Sequence, residues 1–246
     1  MPYPVAAVRG KNYGGASYAN KVLSYSPIAY WPLWEATGAV ATDISGNGYH
    51  GAYTAVTLGQ TGIGDGETCP LFDGTTSFVD VYSTGLRDAF DGIRAKGSLV
   101  IWAKVFNVGV WTDGIRRHCM NILKDGNYYV HIRKIDTNNR TEVDRKANTV
   151  STKITKTSMT TTDWICWATS WYELTDEHIA YYNGAQEGAT LGTLGAWGAG
   201  QPIVSANTNI GSYSTVPDFP WYGWLAHYAL FDSILTPEQM ADLAAV

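Results

Sequence analysis

The sequence predicts an all-β protein, a two-sheet antiparallel jelly-roll sandwich with an N-terminal extended arm and a short C-terminal helix. Three observations carry this. Short runs rich in β-branched and aromatic residues recur along the chain. Turn-forming residues separate them, with 26 glycines among 246 residues. Helix signals are scarce, and the clearest stands close to the C-terminus.

Residues 1–21 hold two prolines and three glycines and show little periodicity, so they read as an arm. Such an arm is expected to be pinned on its own domain or on a neighbouring subunit, which points to a homo-oligomer. Residues 22–246 then form the sandwich. Ile28–Trp31 opens the first strand, and Ser77–Tyr82 is short and β-rich. Leu99–Phe106 is the strongest strand, apolar almost throughout. Asn121–Ile135 reads as a hairpin turning at Asp125-Gly126, a pair that can supply the positive φ of a tight turn. Thr149–Thr162, rich in Thr and Ser, reads as a twisted edge strand blunted by lysines. Trp164–Tyr172 is a long buried strand. Ile179–Tyr182 turns at Asn183-Gly184, and Gly223–Asp232 is the last strand. Thr236, Pro237 and Gln239 then form a capping box with proline at the first helical position, with Met240 and Leu243 facing inward.

Length suits one large sandwich with a sizeable core. Hydrophobic residues at 45% and charged residues at 16% exclude charge-driven disorder. The net charge of −5 is unevenly spread. Residues 101–156 hold 11 Lys and Arg against 5 Asp and Glu; residues 157–246 hold 9 Asp and Glu and no Lys or Arg. That polarity reads as a solvated surface pattern, one able to orient the protein against a charged partner. The acidic balance argues against nucleic acid as a partner. No apolar run is long enough to insert into a membrane, and the N-terminal residues lack a secretory pattern. Cys69, Cys119 and Cys166 are odd in number without CxxC spacing, so they read as buried free thiols.

Catalytic constellations are weak. Retaining glycosidases need two carboxylates about 5–5.5 Å apart, which a Glu-x-Asp-x-Glu strand places on one face. The nearest match, Glu142-Val143-Asp144-Arg145-Lys146, has a lysine where the second glutamate belongs, and its charges read as solvated. Glu173–Glu177 reads as a charged loop. The five histidines show no zinc spacing, His118 and Cys119 point to opposite faces of a strand, and His227 reads as a hydrogen-bonded core histidine. Catalytic residues are therefore none. Aromatics are the best functional feature. Trp31, Trp102, Trp164 and Trp167 lie in strands and read as core. Trp111, Trp197, Trp221 and Tyr222 lie in turn-like contexts and are the candidate carbohydrate-binding residues, since an exposed ring can stack on a sugar.

Three segments together carry a family resemblance. They are Ser26–Glu35 continued by Ala41–Gly51 (SPIAYWPLWE … ATDISGNGYHG), Leu71–Val79 (LFDGTTSFV), and Tyr222–Asp232 followed by Leu235–Gln239 (YGWLAHYALFD … LTPEQ). In order and spacing they resemble laminin-G-like jelly-roll domains of the concanavalin-A-like lectin/glucanase superfamily, including domains of tailed-bacteriophage virion proteins. The resemblance implies a two-sheet sandwich over residues 22–246. It further implies a non-enzymatic surface binding or decoration protein, on a virion surface or extracellular. The expected partners are other virion or surface proteins and glycans. The alternatives are a secreted calcium-dependent lectin or, less favoured, a glycoside hydrolase. The resemblance also implies a Ca²⁺ site at Asp43, Asn47 and Asp73, although Ala226 stands where the closing strand often supplies an aspartate. By themselves, Asp43 and Asn47 read first as an Asx-type turn beside the glycines.

Overall fold

The computed structural model describes residues 17–135 and 139–246. Two antiparallel eight-stranded sheets lie face to face, in keeping with the expected sandwich. In chain order the elements begin with α1 (Tyr18–Ser24), β1 (Ala29–Trp31), β2 (Val40–Ala41), β3 (Gly51–Thr54), β4 (Thr57–Thr61), β5 (Thr68–Asp73) and β6 (Phe78–Asp80). Then come α2 (Thr84–Ile93), β7 (Lys96–Val105), β8 (Arg117–Asp125), β9 (Tyr128–Lys134), β10 (Thr141–Ala147) and β11 (Val150–Lys156). The chain closes with β12 (Ile165–Tyr172), β13 (Glu177–Tyr182), β14 (Ala185–Leu191), β15 (Thr208–Ile210), β16 (Tyr222–Phe231) and α3 (Pro237–Leu243).

The first sheet runs β14-β13-β12-β7-β16-β5-β4, with β1 also on β16; the second runs β11-β10-β9-β8-β15-β6-β3-β2. Sequence neighbours are often separated in these orders, which is jelly-roll connectivity. Alternation decides what each strand buries. Leu99, Ile101 and Ala103 of β7 meet Ile122, Val130, Ile132 and Val143 in the core between the sheets. The other face of β7, Val100 and Trp102, joins Cys166, Ala168 and Tyr181 in a second apolar layer, which α1 and α3 cover through Tyr18, Val22, Met240 and Leu243. The centre of the first sheet is thus buried on both faces, which explains the near-continuous apolar runs of β7, β12 and β16. All three cysteines are free and buried.

Several expectations stand in the structure as read. The capping box of α3 is complete, with Thr236 and Gln239 exchanging side-chain and backbone hydrogen bonds. Asn183 (φ +49°) and Gly184 (φ +79°) make the β13–β14 turn in the left-handed conformation that this pair supports. β11 lies at the edge of its sheet. The turn after Asp125 forms without positive φ, and the ladder slips between Leu123 and Asp125 instead. Residues 1–16 of the expected arm lie outside the described residues, while the remainder enters α1. Ser17 caps that helix by accepting from Asn20 N, and Tyr18 OH donates to Leu243 O at 2.6 Å. The sequence reading did not include α2. Ser83 caps it, and Leu86 and Phe90, one turn apart, go into the core; its two glycines hide that signal.

Candidate binding face

The outer face of the second sheet is polar yet enclosed. On β9, Val130 and Ile132 point into the core, so Tyr129, His131 and Arg133 point outward. Register then aligns a row across four strands: Asn209 of β15 faces Asn121 of β8, which faces His131 of β9, which faces Asp144 of β10. Beside it His118 faces Arg133, which faces Glu142. His118, Asn121 and Asn209 are 1% exposed, His131 is 2% and Asp144 is 0%.

A loop over residues 211–220 covers the Asn121 and His118 part of this face, while the Tyr129 ring stacks on His131 at 4.4 Å. Asn121 Nδ2 donates to Tyr213 O (2.8 Å) and Asn207 O (3.0 Å), drawing the loop down. The Tyr213 and Phe219 rings lie 5.1 and 6.1 Å from the His118 ring. His118 and His131 meet edge to face at 5.0 Å. Six buried polar atoms of this face have no aligned hydrogen-bond partner: both ring nitrogens of His118 and His131, Asn121 Oδ1 and Asn209 Oδ1. His131 Nε2 stands 3.5 Å from Asp144 Oδ2, close but not aligned as a hydrogen bond. Buried polar atoms without partners are uncommon in folded proteins. Burial, reinforced by neighbouring His131, Arg133 and Arg116, pushes His118 well below the usual histidine range. Burial brings His131 down to about 4 against the opposing pull of Asp144. Both rings are neutral at pH 7.

Glu142 and Asp144 are corrected by the structure. They are not solvated: both are buried in an ion-pair lattice. Arg133 Nη2 reaches Glu142 Oε2 at 2.9 Å and Asp144 Oδ2 at 3.4 Å. Ser151 Oγ donates to Asp144 Oδ1 at 2.7 Å, and Tyr129 OH to Oδ2 at 3.2 Å. Burial alone would raise the Asp144 carboxyl, but His131, Ser151 and Arg133 together hold it at about 2. The strand pattern was legible; the enclosure was not, because it comes from neighbouring strands. Glu173 is likewise no solvated loop charge, since it pairs with buried Arg145 of β10 and accepts from Trp197 N.

A hollow of about 420 Å³ opens at the end of this face, lined by Gly114, Ile115, Arg116 and Phe219. Asp113 anchors the segment that lines it, accepting from Ile115 N at 2.9 Å. One carboxylate oxygen takes Arg117 Nε and Nη2 (3.0 and 2.7 Å), and the other takes Lys134 Nζ at 2.5 Å. Ile115 is 45% and Phe219 41% exposed, so the mouth presents apolar surface to solvent, with Arg116 over the Phe219 ring at 5.3 Å.

The four aromatic candidates do not converge there. Trp111, Trp197 and Trp221 are at most 2% exposed. Their indole N–H groups donate to Thr161 O, Gln201 O and Lys104 O. Their loops fold back to bury the large rings, so no face is left for a sugar. Tyr222 is half-buried. Phe106 stacks with Tyr222 (4.6 Å) and with Trp224 (5.7 Å), while Arg117 and Lys104 stand over the Tyr222 and Trp224 rings. Stacking of this kind covers ring faces and leaves edges to solvent.

Asp43, Asn47 and Asp73 do not fit a calcium site. Asp43 accepts from Tyr30 N, Ser45 N, Ser45 Oγ and Tyr49 N, all within 2.9 Å. Asp73 accepts from Thr75 N, Thr76 N, Ser77 N and Thr76 Oγ1, and against its partial burial these bonds hold its carboxyl below the usual range. Asn47 Nδ2 donates to Ile28 O. The carboxylate oxygens that a cation would need already serve turn N–H and O–H donors. Among the described residues no three His, Cys, Asp or Glu side chains gather as a metal site. His227, as expected, is bonded in the core: Nε2 lies 2.9 Å from Asp65 Oδ2 and Nδ1 2.7 Å from Tyr30 OH.

Sequence reasoning missed His118, His131, Asn121 and Asn209 as a group. Alternation along β9 could have placed His131 outward; its adjacency to Asn121 and Asn209 depends on strand register.

No family model matches the chain, and no curated protein matches it. Solved structures do. Domain 4 of AbnA, a GH43 extracellular arabinanase from Geobacillus stearothermophilus solved in complex with arabinotriose, is similar with a TM-score of 0.63 at 16% identity, over 89% of this chain and 98% of that one. The botulinum neurotoxin type G receptor binding domain is similar with a TM-score of 0.61 at 13% identity, over 89% of this chain and 51% of that one. Trypanosoma rangeli sialidase, in complex with the inhibitor DANA, is similar with a TM-score of 0.60 at 10% identity, over 89% of this chain and 32% of that one. At these identities the likeness is one of fold.

Proposed function

We propose that the chain is a non-enzymatic binding module that takes a glycan at the His118/His131 face of its second sheet. The observation that carries this is the set of six buried polar atoms without an aligned hydrogen-bond partner on this face, next to an apolar-mouthed hollow. Hydroxyl groups both donate and accept, which is what neutral imidazoles and amide oxygens require. The arabinotriose-bound neighbour supports the ligand class. Against catalysis stands the Asp144 carboxyl, held ionised to about pH 2, which removes it as a general acid at neutral pH, and Lys146 at the third position.

The test is a glycan-array screen of the full chain beside a His131→Phe/Asn209→Leu variant, with folding checked by near-UV circular dichroism. The expected outcome is binding by the parent and its loss in the folded variant. Binding unchanged in the variant would move the site elsewhere.

The finer setting, a homo-oligomer decorating a virion surface, has the motif resemblance in residues 26–51 and 222–239 as its support. Light scattering checks it: an oligomer is expected, and a monomer at every concentration counts against it.

A further inference from the structure

We infer that the hollow at the end of this face is a subsite for an acidic sugar, whose carboxylate the Arg116 guanidinium holds. The inference rests on the glycan-binding reading and specifies the chemical class of its ligand.

Arg116 stands two residues before His118, at the entry to β8. Both side chains meet the Phe219 ring, the guanidinium at 5.3 Å and the imidazole at 6.1 Å between ring centres. Arg116 is only partly buried, and it lines the hollow with Gly114, Ile115 and Phe219. Among the described residues it makes no ion pair, and its Nε is enclosed without a hydrogen-bond partner. The acids of this region are engaged elsewhere. Asp113 gives one oxygen to Arg117 and the other to Lys134 and the Ile115 amide. Glu142 and Asp144 are matched by Arg133 and Lys153. Asp218 of the covering loop turns to Ser214 Oγ at 3.4 Å. The protein thus leaves one cation of the hollow unanswered.

A cation against an apolar wall is poorly hydrated on that side, and the lowered local dielectric strengthens its attraction for an anion. A guanidinium presents its N–H groups as a planar fork, which a carboxylate matches with two parallel bonds. Ile115 and Phe219, both partly exposed, offer apolar surface to the C–H face of a sugar ring beside that carboxylate. A volume of about 420 Å³ accommodates such a ring.

The walls stand ready-made. Residues 211–220 are fixed by Gly211 N to Cys119 O (2.8 Å), Trp221 N to Gly211 O (2.8 Å), Thr215 N to Ala206 O (2.9 Å) and His118 N to Phe219 O (2.9 Å). Side chains add to these: Asn121 Nδ2 and Asn207 Nδ2 donate to Tyr213 O, and Arg117 Nη1 to Pro220 O. The Phe219 ring therefore holds its place, and its contact with Arg116 orients the guanidinium before a ligand arrives. Preorganisation of this kind lowers the ordering cost of binding.

The experiment compares sugars that differ only in charge. Methyl β-glucuronide and methyl β-glucoside, and methyl β-galacturonide and methyl β-galactoside, are titrated into the full chain and into an Arg116→Gln variant whose folding is checked by near-UV circular dichroism. The readout is the Arg116 Nε–H resonance, assigned by its absence in the variant, together with the affinity of each sugar. The acid of at least one pair is expected to shift that resonance saturably and to bind the parent at least roughly tenfold more tightly than its neutral partner. In Arg116→Gln the acid is expected to fall to the level of the neutral sugar, whose own binding stays unchanged. Equal or weaker binding of both acids would overturn the acidic ligand and leave glycan binding intact. A preference for the acid that survives in folded Arg116→Gln would overturn the role of Arg116. Acetate or inorganic sulfate binding as tightly as the uronide would reduce the hollow to a bare anion site and overturn its recognition of a sugar. An Arg116 resonance unmoved by either uronide, in a chain that binds glycans on the array, would remove the subsite alone; with no array binding, the glycan reading falls as well.

Discussion

At the scale of single residues, the side chains that matter are those whose neighbours changed their meaning. His131 and Asn209 are ordinary polar residues in short strands until register sets them beside Asn121. Gly223 shows the same dependence in the backbone. A Cβ there would stand 2.0 Å from Lys104 O and 2.8 Å from Phe106 N, and its φ is +139°. Only glycine lets β16 approach β7 closely enough for Phe106 to stack between Tyr222 and Trp224. Gly223→Ala is expected to destabilise the fold by about 3 kcal/mol, read as a lowered urea midpoint with an unchanged slope. An unshifted midpoint would mean that β16 can shift to make room.

Elements set the rim of the site. The segment between β7 and β8 is a loop by sequence, and Asp113 fixes it by tying Arg117 and Lys134 of the adjacent strands β8 and β9 to one carboxylate. Burial would raise that carboxyl, yet hydrogen bonds from Lys134, the Ile115 backbone and Arg117 bring it below the usual range. Asp113→Ala is expected to cost about 2 kcal/mol, less than a fully enclosed pair because the carboxylate is partly exposed. It is also expected to loosen Gly114–Arg116, which hydrogen exchange would register as lost protection of the Ile115 amide. Of these elements the strong strands, the Asn183-Gly184 turn and α3 were legible, since each follows from local propensity. The α1 and α2 helices were not, because each is short and is stabilised chiefly by the core it covers.

Across the whole molecule, three enclosed histidines couple folding to pH. Burial lowers His131 to about 4 and His178 to about 3, and pushes His118 well below the usual range. In the unfolded chain a histidine titrates near about 6.5. Between these values the unfolded state binds protons that the fold refuses, so stability is full above about pH 6.5 and falls as the pH drops towards about 4. The expected loss is roughly 1 kcal/mol per pH unit for each histidine. Asp144, held at about 2, adds its own loss only as the pH falls below about 4. Urea midpoints measured at about pH 7 and about pH 5 should differ accordingly; equal midpoints would show that these rings protonate inside the fold.

What the sequence by itself determined is the class of fold. Alternation, turn pairs and a capping box are local signals, and local propensity is enough to specify strands, turns and one helix. Its candidate site residues had less behind them, because exposure is not a local property. Trp111, Trp197 and Trp221 stand in turn-like sequence, yet their loops fold inward to bury them. Glu142 and Asp144 read as surface charges, yet Arg133 and Ser151 from neighbouring strands enclose them. The row from Asn209 to Asp144 draws on four strands spread over some 90 residues of chain. Only the tertiary structure could assemble that row, because strand register and the covering loop are set by long-range packing and not by the residues alongside in sequence.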